Sequence, residues 1–338
     1  ARIPDRHRSI RAVLNQSWTL LSAEEQAALR QLAIFRGSFH LQAAQEIAGV
    51  SLPLLQRLAD RTLVQTSEPE RYQMRDLVRR YAEEKLLAHP REQRDVLTRH
   101  SDFFLGFIAQ RQESLFHASR KEALASVDRE FEQILAAWEW AAQHARFAQM
   151  DQAQQSLFAF CLNRGRYREG GACFSRLTAA LEAFHTARHS AAHHDPIYGR
   201  GLARQGFFAV SSGEMAQGMA ALEQALLIAR GHGAPADRAF CLTFLGEFEG
   251  WRGNFQRATQ LLTESIALNE KIGDQLGGGF ALYRLGELTH TVGKFEEARQ
   301  IFQQCVAISR QIDGPDAIGY ALDQLGYCHF LVGDWAAA

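Results

Sequence analysis

The sequence has little cysteine, almost no net charge and no long apolar run. Its 5 cysteines among 338 residues are Cys161, Cys173, Cys241, Cys305 and Cys328. They are odd in number and never spaced as C-x-x-C, which excludes a zinc ribbon or a dithiol redox motif. Lying inside apolar helical patterns, they read as buried free thiols in a reducing cytoplasm. Lys and Arg total 37 against 38 Asp and Glu, a formal net charge of −1. No global field therefore draws the chain to nucleic acid or a membrane, although the front is mildly basic and the back mildly acidic. The longest apolar stretch, Phe103 to Ala109, falls far short of the ~18 residues of a membrane helix. With no signal peptide either, the expected location is cytoplasmic, with no membrane partner. Catalytic signatures are missing as well. Gly293-Lys294 lacks the upstream Gly and the following Ser or Thr of a phosphate-binding loop. There is no H-E-x-x-H and no G-x-S-x-G. The expectation is a non-enzyme with no cofactor of its own.

What is present is a repeat. Gly206, Gly246, Gly286 and Gly326 are 40 residues apart, as are Gly213, Gly253, Gly293 and Gly333. Leu245, Leu285 and Leu325 precede three of the first set; Met215, Phe255, Phe295 and Trp335 follow the second set by two. Ala258, Ala298 and Ala338 come three further on, with Gly218 in the same place. Each position has a physical task. The first Gly, lacking Cβ, lets two helices approach closely. The second Gly supplies the left-handed residue that ends a helix. Asn254 and Asp334 then stand where the next helix wants an N-cap, the aromatic fills the hairpin, and Ala marks the crossing. A degenerate copy, Gly165, Tyr167, Gly170 and Phe174, precedes the next by 48 residues, which implies an insertion near 185–194. The pattern resembles the tetratricopeptide repeat, with a period longer than that family's usual ~34 residues. Ala1 in place of Met, and the stop at Ala338 inside a repeat, lead us to expect a piece of a longer protein.

The front of the chain reads differently. Residues 5–21 form an amphipathic helix with Ile10, Val13, Leu14, Trp18 and Leu21 on one face. Ser22 with Glu25 is a capping box opening a helix over 23–35. Further helices are expected over 41–48, stopped by Gly49, and over 52–61, capped by Ser51. Leu63–Thr66 and Arg71–Met74 read as two short strands across the turn Glu68-Pro69-Glu70, followed by a helix over 76–89. This order describes a winged-helix domain. The run Arg6-His7-Arg8-Ser9-Ile10-Arg11-Ala12, then Trp18, then Leu32 to Phe39, resembles the winged-helix segment of bacterial signal-transduction ATPases with numerous domains. Tyr72-Gln73-Met74-Arg75-Asp76 resembles the segment with that class's Met-His-Asp motif, and Glu130 to Ala141 resembles its linker to the repeats. The resemblance implies an upstream nucleotide-binding module acting in cis, with ADP or ATP and magnesium bound there, and a repeat array serving as sensor. It makes Arg75, in the place of the motif's His, the nucleotide-contact candidate; the alternative is a solvated surface residue. Phe131, Ile134, Leu135 and Trp138 in the linker segment read as core packing.

The expected fold is therefore mostly α: a winged helix with a small β-hairpin over 1–90, a helical linker with a degenerate repeat over 91–194, and an α-α solenoid over 195–338. By the repeat resemblance, the first helices line an inner groove. The candidate groove residues are Phe240, Glu247, Phe280, Tyr283, Arg284, Glu287, His290, Tyr320, Asp323 and Tyr327, with Thr243, Phe330 and Arg204 nearby. The Lys and Asn of a carboxylate clamp are absent, so an apolar or cationic peptide or protein segment suits it better. His185, His189, His193, His194 and Asp195 form the single metal-like constellation, and a polar inter-repeat loop accounts for it as well. The 52–61 helix offers only Gln56, Arg57 and Arg61 to DNA, which argues against direct DNA binding. These readings converge on the sensor portion of a signal-transduction ATPase. The alternatives are a transcription factor that contacts DNA through its winged helix, and a repeat scaffold with no switch.

Overall fold

The computed structural model describes residues 5–311 apart from 117, 118 and 233, together with 322, 325 and 326. The chain divides into two units, Ala1–Ile108 with Val127–His144, and Ala109–Ser126 with Ala145–Ala338.

In the first unit, α1 (Asp5–Thr19) leads to α2 (Ala23–Leu32) through the capping box at Ser22. Glu25 N–H donates to Ser22 Oγ at 3.2 Å and Ser22 N–H to Glu25 Oε2 at 2.8 Å. These bonds and Arg61 hold the Glu25 carboxyl below its ordinary range. The short strand β1 (Ser38–His40) leads into α3 (Leu41–Ala48), which ends at Gly49 with φ +64°. Next come α4 (Leu52–Asp60), β2 (Val64–Glu68), β3 (Arg71–Met74) and α5 (Asp76–Leu87). The sheet has order β1-β3-β2, all antiparallel. The expected hairpin is thus two strands of a three-stranded sheet, with β3 in the middle. At three residues β1 is too short to show alternation in sequence; Phe39, fully buried, fixes it by stacking on Phe35 at 4.5 Å. Two expectations need correcting. Ser51 precedes α4 but makes no side-chain cap bond, and Val13, read onto the apolar face of α1, is 61% exposed. Trp18 does turn inward, edge-on to Tyr81 at 5.7 Å.

The helices α6 (Pro90–Ala109) and α7 (Arg120–Gln143) follow. From Val127 onward α7 belongs to the first unit, held by buried polar groups. Glu130 pairs with Arg71, which also donates to Ser38 Oγ. Gln133 accepts from Arg36 N–H at 3.3 Å and donates to Arg36 C=O at 2.6 Å. His100 Nε2 lies 3.0 Å from the same Gln133 Oε1, so Nε2 carries the proton; burial pushes this imidazole down to about 4 and keeps it neutral. Further along α7, Trp138 is fully buried.

In the second unit helices pair into hairpins: α8 (Phe147–Asn163) with α9 (Tyr167–Ala187), α10 (Pro196–Ser211) with α11 (Met215–Gly231), α12 (Pro235–Trp251) with α13 (Phe255–Ile272), and α14 (Gln275–Thr291) with α15 (Phe295–Gln311). The result is an α-α solenoid. The two glycine sets do different work. Gly165, Gly213, Gly253 and Gly293 have φ of +63°, +96°, +81° and +81°. The next residue's N–H reaches back five residues at every turn: Arg166 to Cys161, Glu214 to Ala209, Asn254 to Glu249 and Lys294 to Thr289. These are Schellman closures, which explains the left-handed residue. At Gly206, Gly246 and Gly286 a Cβ would lie 2.8 Å from Gly218 O, 2.7 Å from Leu262 and 2.6 Å from Phe302. Here the requirement is close helix approach. Asn254 departs from expectation. It occupies the N-cap position of α13 but makes no side-chain cap bond; its amide donates to Glu249 instead. Between α9 and α10, Ala192–His194 forms a 3-10 turn.

Candidate functional site on the first-helix face

The first helices α8, α10, α12 and α14 lie side by side and carry the candidate residues. Rings link them in a buried row. Phe158 meets Phe207 at 5.1 Å, Phe207 meets Phe244 at 4.7 Å, and Phe244 meets Phe280 at 5.6 Å. Phe158, Phe207 and Phe244 are all buried, so this row is core that fastens repeat to repeat. Phe240 and Phe280 are half-buried at its margin.

Two charged clusters flank the row. In one, Arg200 grips Asp151 with two bonds of 2.8 and 2.7 Å and reaches Asp237 at 3.1 Å, tying α8, α10 and α12 together. Beside it Arg204, 6% exposed, donates to Gln155 and to Arg200 C=O, and its guanidinium lies 4.9 Å from the Phe240 ring. Burial without a carboxylate partner pulls its pKa down to about 10, which leaves it charged at neutral pH. Arg200, Arg204, Asp237 and Phe240 line a pocket between α10, α11 and α12.

The second cluster contains Glu247, Arg284 and Glu287. Arg284 Nη1 donates to Glu287 Oε2 at 2.7 Å, while Nη2 lies 3.2 Å from Glu247 Oε1. The guanidinium sits 4.8 Å from the Phe280 ring and 5.7 Å from that of Tyr283. Glu247 is 8% exposed, and its Oε2 has no hydrogen-bond partner. Burial, reinforced by the nearby Glu287 and opposed by Arg284, pushes the Glu247 carboxyl up to about 7. Arg284 is itself held above its ordinary value by the two carboxylates. The two directions are compatible, because the hydrogen bond of Arg284 goes to Glu287 and leaves Glu247 with charge proximity alone, while Arg284 Nε is buried without a partner.

The sequence candidates therefore separate. Phe280, Tyr283, Arg284, Glu247 and Glu287 come together; Phe240 belongs to the Arg204 cluster. Tyr283 also packs on Phe302 at 5.8 Å, and His290 lies 5.3 Å from Phe295, so both help close the α14–α15 hairpin. Thr243 is buried, bonded to Ala239 C=O and paired with Ser265. Tyr320, Asp323, Tyr327 and Phe330 lie outside the described residues. Sequence reading missed Asp151, Arg200 and Asp237. Arg200, Phe240 and Phe280 share one register at intervals of 40, a signal that could have shown Arg200 on this face.

The remaining candidates have local roles. Arg75 is exposed at the N-cap of α5. Arg57 and Arg61 pair with Glu24 and Glu25, so α4 offers much of its positive charge to α2. His185 bonds Ser190 Oγ and Asp195 Oδ2, while Asp195 Oδ1 accepts from Ile197 N–H and caps α10. Among the described residues no group of three His, Cys, Asp or Glu is arranged to hold a metal.

Residues 237–311 and 278–338 match the family model for the tetratricopeptide repeat. Within that match lie the hairpins α12–α13 and α14–α15, which are tetratricopeptide repeats. Curated relatives carry the name "Putative HTH-type transcriptional regulator"; one from Mycobacterium bovis and another from Mycobacterium tuberculosis are each 28% identical over 284 residues, covering 80% of this chain and 31% of the relative. The chain thus spans about a third of the length of the curated relatives it matches. Among solved structures, BtubC from P. vanneervenii is 17% identical, covering 64% of this chain and 85% of that one, at a TM-score of 0.49. A Signal Transduction ATPase with Numerous Domains from Pyrococcus horikoshii, bearing a tetratricopeptide repeat sensor, is 14% identical, covering 93% and 54%, at a TM-score of 0.40. Among the described residues no helix is long and apolar enough to cross a membrane.

Proposed function

We propose that the repeat array is a sensor that binds a protein segment on its first-helix face, within a larger regulator of the signal-transduction ATPase type. The observation that carries this reading is the cluster Glu247, Arg284, Glu287 and Phe280, polar and aromatic groups gathered at the margin of an otherwise sealed ring row. In the first unit, the order α2-β1-α3-α4-β2-β3 with its antiparallel three-stranded sheet supports a winged helix. The name of the mycobacterial relatives supports a role in transcriptional control. Nucleotide chemistry is assigned to a module outside these residues, in keeping with the lack of a phosphate-binding loop. Arg75, exposed at a helix N-terminus, is suited to meet a phosphate held by such a module.

The test places a photo-crosslinking amino acid at Glu287 on the first-helix face, and in a control at Leu227, which is 66% exposed on α11. One partner captured from position 287, not from 227, and lost on Glu247→Lys supports the reading. Equal capture from both positions, or none from 287, defeats it. The second reading, direct DNA contact through the winged helix, is favoured by the relatives' name. The pairing of Arg57 and Arg61 weighs against it. Sequence-selective retardation of duplex DNA that persists as salt is raised would establish it.

A further inference from the structure

We propose that Glu247 is the acceptor for a cationic side chain of the bound segment, an arginine or lysine that completes the Glu247–Arg284–Glu287 cluster. This rests on the first-helix face being the binding face. Four observations lead there. The cluster holds two carboxylates against one guanidinium, so with Glu247 ionised it lacks one positive charge. Glu247 Oε2 is a buried oxygen without a donor, a costly arrangement unless something supplies one. Glu247 receives no hydrogen bond from Arg284, whose well-made bond goes to Glu287. The cluster is open to solvent on the Glu287 side, where the side chain is 36% exposed, while the Phe280 and Tyr283 rings hold the Arg284 guanidinium in place.

The same observations discriminate among occupants. An anion would meet two carboxylates, and the one donor Arg284 has left, its Nε, is buried. An apolar side chain would leave Oε2 without a donor. A metal ion would find no third ligand in place among the described residues. A guanidinium or ammonium group supplies the missing charge and the missing N–H together.

The experiment uses the 338-residue chain and two probes, N-acetyl-arginine amide and its neutral isostere N-acetyl-citrulline amide. Titration of the Glu247 carboxyl carbon is followed by NMR with each. We expect the arginine probe to bind saturably and to pull the Glu247 midpoint down toward the ordinary carboxylate range, while the citrulline probe leaves it in place. Glu247→Gln should weaken the arginine probe about tenfold, the loss of one charge-assisted hydrogen bond, with its circular dichroism spectrum unchanged. Equal action of both probes, no binding of the arginine probe, or undiminished binding to Glu247→Gln overturns the assignment. The two readings fail separately. A partner whose capture needs the first-helix face but is indifferent to Glu247→Gln refutes the cation site alone. Arginine binding at Glu247 with no partner on that face refutes the sensor reading alone.

Discussion

Replacing Glu247 by Gln should make the unliganded chain more stable at neutral pH, because the native carboxylate is buried without adequate compensation. Its carboxyl is moved from 4.5 to about 7, chiefly by burial. At ~1.4 kcal/mol per pH unit the ionised form costs the folded state about 3 kcal/mol. The sign follows from the direction of the shift. Below 4.5 the group is neutral in folded and unfolded chains and contributes nothing. Between 4.5 and about 7 the unfolded chain releases a proton that the folded chain retains, so the folded state loses ground as pH rises; above that range the loss is complete. Glutamine keeps the shape without the charge. The advantage of Glu247→Gln should therefore be near zero at pH 4.5 and approach ~3 kcal/mol at pH 8. Repeat arrays open locally, so the assay should be hydrogen exchange of peptides from α12 and α14 at stepped pH. Slower exchange confined to the higher pH values is the expected result. A variant less protected than the native chain at pH 8, or an effect independent of pH, would show that Arg284 compensates Glu247 fully and refute the reasoning.

Gly218→Ala installs the residue that the later repeats carry at Ala258 and Ala298, yet it should destabilise the array by about 1–3 kcal/mol. Its Cβ would fall 2.5 Å from Gly206 O and 2.8 Å from Val210 N, both backbone atoms; an unchanged melting temperature would disprove the close crossing. Breaking the buried pair by Glu130→Ala should cost roughly 3–5 kcal/mol, and Arg71→Met with Glu130→Leu should recover most of it. Urea titrations of single and double variants decide this; an additive double loss would count against the pairing. Ser22→Ala should cost about 1 kcal/mol by removing the capping box, read as a lower urea midpoint for the first unit.

The array was legible in sequence because its constraints are local and recur. A left-handed turn and a Cβ-free crossing can each be met by few residues, so Gly253 and Gly246 announce their roles without knowledge of the fold. The candidate face was legible in position and less so in arrangement. The repeat resemblance placed Phe280, Glu287 and Glu247 on one side, but gave no means to foresee that Arg284 would take Glu287 and leave Glu247 short of a donor. Nor could it foresee that Tyr283 would close a hairpin on Phe302. The anchors of α7 were illegible for another reason. Arg71 and Glu130 are 59 residues apart, and Arg36 and Gln133 are 97 apart, with no local pattern connecting either pair. Asn254 shows the opposite failure, a residue with the right type and place whose amide found a better partner in Glu249.

The step from Gly165 to Gly213 exceeds the repeat interval by eight residues, and the surplus is shared between α9, 21 residues against 17 in α11, and the segment after it with its 3-10 turn and His185–Asp195 bond. Arg200 nevertheless reaches back across it to Asp151 and forward to Asp237. The face formed by α8, α10 and α12 is thus sewn together past the irregularity, and the extra chain lies in the last turn of α9 and the loop that follows it. Lineages of this protein could lengthen or shorten that loop freely while the order of side chains presented along the first helices stayed the same, so divergence in length there would carry no information about divergence in what the array binds.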